Sequence, residues 1–134
     1  MTHYRISEAA ELLGVSDDTV RRWVEVGALT STSDEAGRAV VAGRDLAAFA
    51  VERAKAPEDP SASRSSARNR FTGLVTGITT DTVMAQVDLQ CGPFRVVSLM
   101  SSEAVRELGL EIGSRAVAVV KATTVVVETT RGLR

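Results

Sequence analysis

The sequence predicts an α+β chain built as two small modules. Three observations carry that expectation: a helical hydrophobic period in the first third, a period of two after residue 70, and a proline- and serine-rich run between them. The 134 residues suffice for one ordinary domain or two very small ones. Apolar residues make up 44% and aromatics 4%, so any core must be made mainly of Val, Leu, Ala and Ile.

In the first module Ser7 precedes EAAELL and is placed to cap a helix that Gly14 ends. Ser16 precedes DDTVRRWVEV, where Asp17 and Asp18 suit the positive end of a second helix and Gly27 supplies the stop. Val20, Trp23 and Val24 fall at i, i+3 and i+4 on one apolar face. Gly37 and Gly43 bracket RAVVA, read as a short hairpin. Residues 44–54 then form a third helix with Leu46, Phe49 and Ala50 inward. The run KAPEDPSASRSSA, residues 55–67, holds Pro57, Pro60 and four serines, with no apolar residue larger than Ala. It divides the chain into a module at 1–54, a flexible linker at 55–64 and a second module at 65–134.

After the linker the pattern is that of strands. Residues 71–78 form one, and Val83, Ala85, Val87, Leu89 and Cys91 alternate with Met84, Gln86, Asp88 and Gln90 in a second. CGPF turns the chain into RVVSLM, SSEAVRELG makes a short helix closed by Gly109, and RAVAVVK and TVVVET complete the set. Five strands and one short helix, inserted between the third and fourth, predict a small OB-like β-barrel.

Several function classes fall away. Cys91 is the single cysteine and His3, at a terminus expected to be mobile, the single histidine, so no disulfide or zinc cluster can be assembled within the chain. Neither has a catalytic partner in view, and the serines lack a base, so no enzyme is expected. The apolar runs are too short to cross a membrane, and a soluble cytoplasmic protein without a membrane partner is expected. Residues 1–54 carry a net −3 and residues 55–134 a net +2, far from the strong positive charge of a non-specific nucleic-acid coat.

Two short helices separated by GVS, the second bearing arginines, make a helix-turn-helix arrangement. Burying Val20 and Trp23 leaves Asp18, Thr19, Arg21, Arg22 and Glu25 outside. Thr19 can then bond a base edge or phosphate, and Arg22 a phosphate or a guanine. On the residues alone, a helical pair with solvated charges is an equal reading. YRISEAAELLGVSDDTVRRWVEVGAL resembles the helix-turn-helix of the MerR and excisionase-like families over residues 4–50. The resemblance implies a winged module that binds double-stranded DNA, with residues 16–26, opened by Ser16, in the major groove and a wing near 31–41. Arg38 is the wing's single cation, with Asp34 and Glu35 beside it, so a single copy is expected to bind weakly and an assembly better.

In the second module, donors cluster at strand ends: SSARN before the first strand, MSSEA at the helix start, and VKATT between the last two strands. If the barrel gathers them, the pocket suits a fully deprotonated tetrahedral dianion such as molybdate or tungstate, whose oxygens only accept hydrogen bonds. On the residues alone, serines that merely cap helices, with Arg68 and Lys121 solvated, are the favoured reading. SARNRFTGLVTGI, followed by SLMSSEAVRELGLEIGSRAVAVVKATTVVVET, resembles the molybdenum-pterin-binding (Mop) domain, also called TOBE, over about residues 65–129. The resemblance implies molybdate or tungstate held at subunit interfaces by Ser66, Arg68, Asn69, Ser101, Lys121 and the backbone of Ala122, and assembly as a dimer or hexamer. Where that family often has a second hydroxyl, this chain has Ala104, for which Ser102 is the candidate substitute. The expected function is a molybdate- or tungstate-responsive DNA-binding transcriptional regulator. Its rivals are a molybdate storage protein whose helical module serves packing or partner binding, and a barrel that only oligomerises.

Overall fold

The computed structural model describes residues 2–54 and 67–130. They fall into two compact units, residues 1–55 and 56–134, each taken by itself below. The expected linker at 55–64 lies outside the described residues. Ala67, read from composition as the end of that run, is buried and belongs with the second unit.

In the first unit a strand, β1 (His3–Arg5), leads directly into α1 (Ile6–Leu13). The expected Ser7 cap is replaced by one two residues earlier. The Glu8 carboxylate accepts the Arg5 backbone N–H at 2.9 Å and the Arg5 Nε at 3.2 Å, closing the helix start from its third position. Those bonds, the backbone one first, hold the Glu8 carboxyl below its ordinary value. Gly14 ends α1 in the left-handed region at φ 70°, as the sequence predicts. Ser16 caps α2 (Asp17–Glu25), its Oγ accepting the Thr19 N–H at 3.2 Å.

The wing is a hairpin of β2 (Thr32–Ser33) and β3 (Ala39–Ala42), followed by α3 (Gly43–Arg53). β3 is central in an antiparallel sheet ordered β1-β3-β2, with His3 opposite Ala42 and Ser33 opposite Ala39. His3 therefore sits in a strand rather than at a free terminus. The core joins Ala9, Ala10, Val20, Leu29, Val41, Leu46 and Phe49, with Trp23 and Val24 packed against it. Arg53 caps the aromatic end, its guanidinium 4.9 Å from the ring centroids of both Trp23 and Phe49.

The second unit is a curled antiparallel sheet with one helix: β4 (Asn69–Thr80), β5 (Met84–Cys91), β6 (Phe94–Ser101), α4 (Ser102–Leu108) and β7 (Arg115–Val120). The strand order β6-β5-β4-β7 is that of an OB-like barrel left open between β6 and β7. The expected alternation on β5 holds: Ala85, Val87, Leu89 and Cys91 are buried, with Val75 and Val105 against them. One expected strand is absent among the described residues. After a 3₁₀ turn at Ala122–Thr124, residues 125–130 belong to no strand and lie exposed. Phe71, expected in the core, is half exposed.

Two features set the curl. The register between β4 and β5 slips at residue 76, a bulge that bends the strand. At Gly73 a Cβ would stand 2.7 Å from Cys91 Sγ and closer still to the Gln90 carbonyl, so only glycine lets β5 approach. Gly73→Ala should destabilise the second unit by about 1–3 kcal/mol through overpacking. Thermal or denaturant unfolding followed through that unit checks this, and the helical signal of the first unit should hold.

Candidate functional site

The six residues expected to meet DNA, four on α2 with Ser16 at its cap and Arg38 in the wing, are placed unevenly. Ser16 and Thr19 face each other, hydroxyl to hydroxyl at 2.9 Å, and fasten the helix start. Asp18 holds Arg21 at 3.1 Å. In the wing, Asp34 accepts the backbone N–H groups of Ala36 and Arg38 at 2.9 and 2.8 Å and the Arg38 Nε at 3.0 Å. The Arg38 backbone bond, then its side chain, hold the Asp34 carboxyl below its ordinary value. Arg22 is exposed and forms no ion pair among the described residues. The face thus offers one unengaged cation and two that a phosphate would have to draw from a carboxylate.

In the second unit, β4 and β7 pair antiparallel from Asn69 opposite Val120 to Leu74 opposite Arg115. This register brings Arg68 and Asn69, at the start of β4, beside Lys121 and Ala122, at the end of β7. Asn69 fastens the corner by donating from Nδ2 to the Val120 carbonyl at 3.2 Å. Arg68 and Lys121 are exposed and neither forms an ion pair among the described residues. Ala122 opens the 3₁₀ turn, where an N–H group has no acceptor within the turn. The corner is therefore cationic and rich in donors. Ser66 lies outside the described residues.

Ser101 and Ser102 are elsewhere. Ser101 pairs with Met84, beside the far end of β4, where Thr80 meets Ala85. Along the 12 residues of β4, at about 3.3 Å each, the two groups stand roughly 35 Å apart on the strand path. One chain does not bring them together. The two serines also differ in role. Ser101 Oγ accepts the Ala104 N–H at 3.0 Å as the cap of α4, which leaves its own proton free to donate. Ser102 is 3% exposed, and its single hydroxyl proton is shared between the Asp81 and Met84 carbonyls at 2.8 and 2.9 Å. It anchors the helix to the β4–β5 turn, so the substitute donor expected for Ala104 is occupied within the fold.

Beyond Asn69, the last residue expected at the start of β4, Arg70 also lies at this end of the strand and lines the opening between β6 and β7 together with Arg115. The RNR spelling was the available signal, and pairing with β7 gives it meaning. Ser102→Ala should cost about 1–3 kcal/mol, because the Asp81 carbonyl loses the Ser102 hydroxyl and the Met84 carbonyl keeps only the Asp81 N–H. Denaturant unfolding of the variant measures it.

Comparison with known proteins agrees with the division into two units. The family model for the TOBE domain matches residues 65–127, and that for the MerR family regulatory protein matches residues 5–40. The chain is similar to a probable molybdenum-pterin-binding protein of Haemophilus influenzae, 44% identical over 63 residues that cover 46% of this chain and 91% of that protein. It is similar to the molybdenum transport protein ModE of Herbaspirillum seropedicae, 39% identical over 67 residues, 49% of this chain. The match spans only 25% of the ModE length. Among solved structures, MopII from Clostridium pasteurianum is 38% identical, with a TM-score of 0.47, covering 50% of this chain and 100% of that one. Through its β-rich unit the chain belongs to the TOBE-domain family of molybdenum-pterin-binding proteins, and its residues 5–40 are similar to the MerR family regulatory protein model.

Proposed function

We propose that this chain is a molybdate- or tungstate-binding transcriptional regulator, in which the oxyanion is held between copies of the β-rich unit and controls their assembly. The observation that carries the reading is the corner where Arg68 and Lys121 lie exposed, without ion pairs among the described residues, and flank Asn69 and Ala122. In this reading the two cations balance the dianion, while Asn69 and the Ala122 N–H direct donors at its oxygens. Ser101 adds a hydroxyl from a second copy, because β4 keeps it away from the corner of its own chain. Ser66 belongs to the proposed set by the family resemblance. A site built of donors favours an anion carrying no proton; a protonated phosphate would need an acceptor for its O–H.

An anion that bridges two copies stabilises the assembled state by mass action. Assembly in turn sets two helix-turn-helix units on one DNA, where the second contact gains from effective concentration. That route suits this helical unit, whose cations are few and partly engaged by Asp18 and Asp34.

Those same pairs favour one second reading, a molybdate store whose helical unit binds a partner other than DNA. Titration calorimetry and a DNA-binding assay separate the two. Lys121→Ala should weaken molybdate binding at least about tenfold, the equivalent of one charge-assisted hydrogen bond, with the fold retained. Arg22→Ala should weaken binding to the DNA upstream of its own coding sequence by about 1–3 kcal/mol. Unchanged molybdate affinity in Lys121→Ala removes the site assignment. Molybdate binding without DNA binding at low salt leaves the store.

A further inference from the structure

β1 brings to the wing an arginine that no motif marks. Arg5 stands opposite Val40 on β3. Arg38 lies two residues before Val40, so both arginines leave the sheet on one face. The pairing reaches Arg38, because the Asp34 N–H donates to its carbonyl at 2.8 Å. Diagonal neighbours across two strands stand about 7–8 Å apart, within reach of long side chains. The Glu8 carboxyl is held below its ordinary value first by the Arg5 backbone N–H and side chain, and further by the charge of Arg38. Glu8 feels both arginines, and the three side chains with Asp34 make one cluster beside the wing.

Both guanidiniums are aimed in the same way. Glu8 accepts the Nε–H of Arg5 at 3.2 Å, and Asp34 accepts the Nε–H of Arg38 at 3.0 Å. Neither guanidinium has a further partner among the described residues. Each therefore keeps both Nη groups, with four N–H donors, toward solvent, and the two side chains are 52 and 59% exposed. A guanidinium fixed at Nε and open at both Nη groups presents the fork that takes a phosphate through two parallel bonds.

The cluster sits at the start of α1, whose eight residues span about 12 Å before the turn into α2. That offset places it beside the groove that α2 enters in the proposed reading. There the first helix of a helix-turn-helix crosses the sugar–phosphate backbone, away from base edges.

We infer that Arg5 and Arg38 together hold one backbone phosphate of the bound duplex, their forks aimed by Glu8 and Asp34. The inference rests on the DNA-binding reading above and adds to it a contact that carries no base preference.

Equilibrium binding of the full chain over a range of salt concentrations tests it, on the duplex upstream of its own coding sequence and on an unrelated duplex of equal length. Arg5→Ala should weaken both by a similar factor, at least about fivefold at low salt, and should lower the slope of log affinity against log salt by about 1. Arg5→Lys keeps the charge and should keep the slope while losing part of the affinity, because an ammonium cannot fork a phosphate. A purely structural role for Arg5 predicts weaker binding with an unchanged slope in Arg5→Ala, and that result overturns the inference. Full affinity in Arg5→Ala, with Arg22→Ala binding poorly, overturns it as well and leaves the DNA-binding reading standing. A wild-type chain that binds neither duplex at low salt removes both.

Discussion

Strand β4 is the constraint on which the second unit depends. It is paired along both edges, with β5 and β7, and its 12 residues carry the chain from the cationic corner to the turn that holds α4. Its pairing with β7 gathers Arg68, Asn69, Lys121 and Ala122. Its length keeps Ser101 away from them. A site using both sets must be composite, and this makes ligand binding and assembly two views of one equilibrium. Gly73 and the bulge at residue 76 allow so long a strand to curl without losing either neighbour.

Around that strand, polar side chains divide into those that build and those left available. Asp81 accepts the Met84 and Val83 N–H groups at 2.7 and 2.8 Å, which hold its carboxyl below its ordinary value. Ser102 bonds the carbonyls of the same turn, and Asn69 bonds Val120. These groups fix where the ends of β4 point. Arg68, Lys121 and the Ser101 proton are what remains. In the helical unit, Ser16 with Thr19, Asp18 with Arg21 and Asp34 with Arg38 fix the helix start and the wing, leaving Arg22 most available.

Local physics made much of this legible in the sequence. Gly14, Ser16 and Gly109 mark helix ends because a left-handed angle or a side-chain cap is required where they stand. The alternation on β5 was readable because one face is buried. What failed depends on distant partners. β1 is three residues long and exists because β3 lies beside it, a pairing no local pattern announces. Glu8 outcompeted Ser7 for the helix start because β1 delivers Arg5 to it. The segment TVVVET has a strand's composition but forms no strand among the described residues. Ser101 and Ser102 are chemically alike, and only the packing of α4 on the β4–β5 turn decides which hydroxyl is spent. The joining of Arg68 to Lys121 is a matter of register, which residue types alone could not give.

The composite site has one direct test, complementation between copies. Ser101→Asp keeps the helix cap and sets a negative charge against the anion; Lys121→Ala removes a cation from the other half. Each variant alone should bind molybdate at least about tenfold more weakly. Unfolded together and refolded as mixed assemblies, they should regain the lost affinity in about half of the sites formed between unlike copies, since there Lys121 from one chain meets Ser101 from the other. Recovery measured by titration calorimetry on the isolated mixed assembly is the result the composite site predicts. No recovery, with both variants folded and assembled, would contradict it.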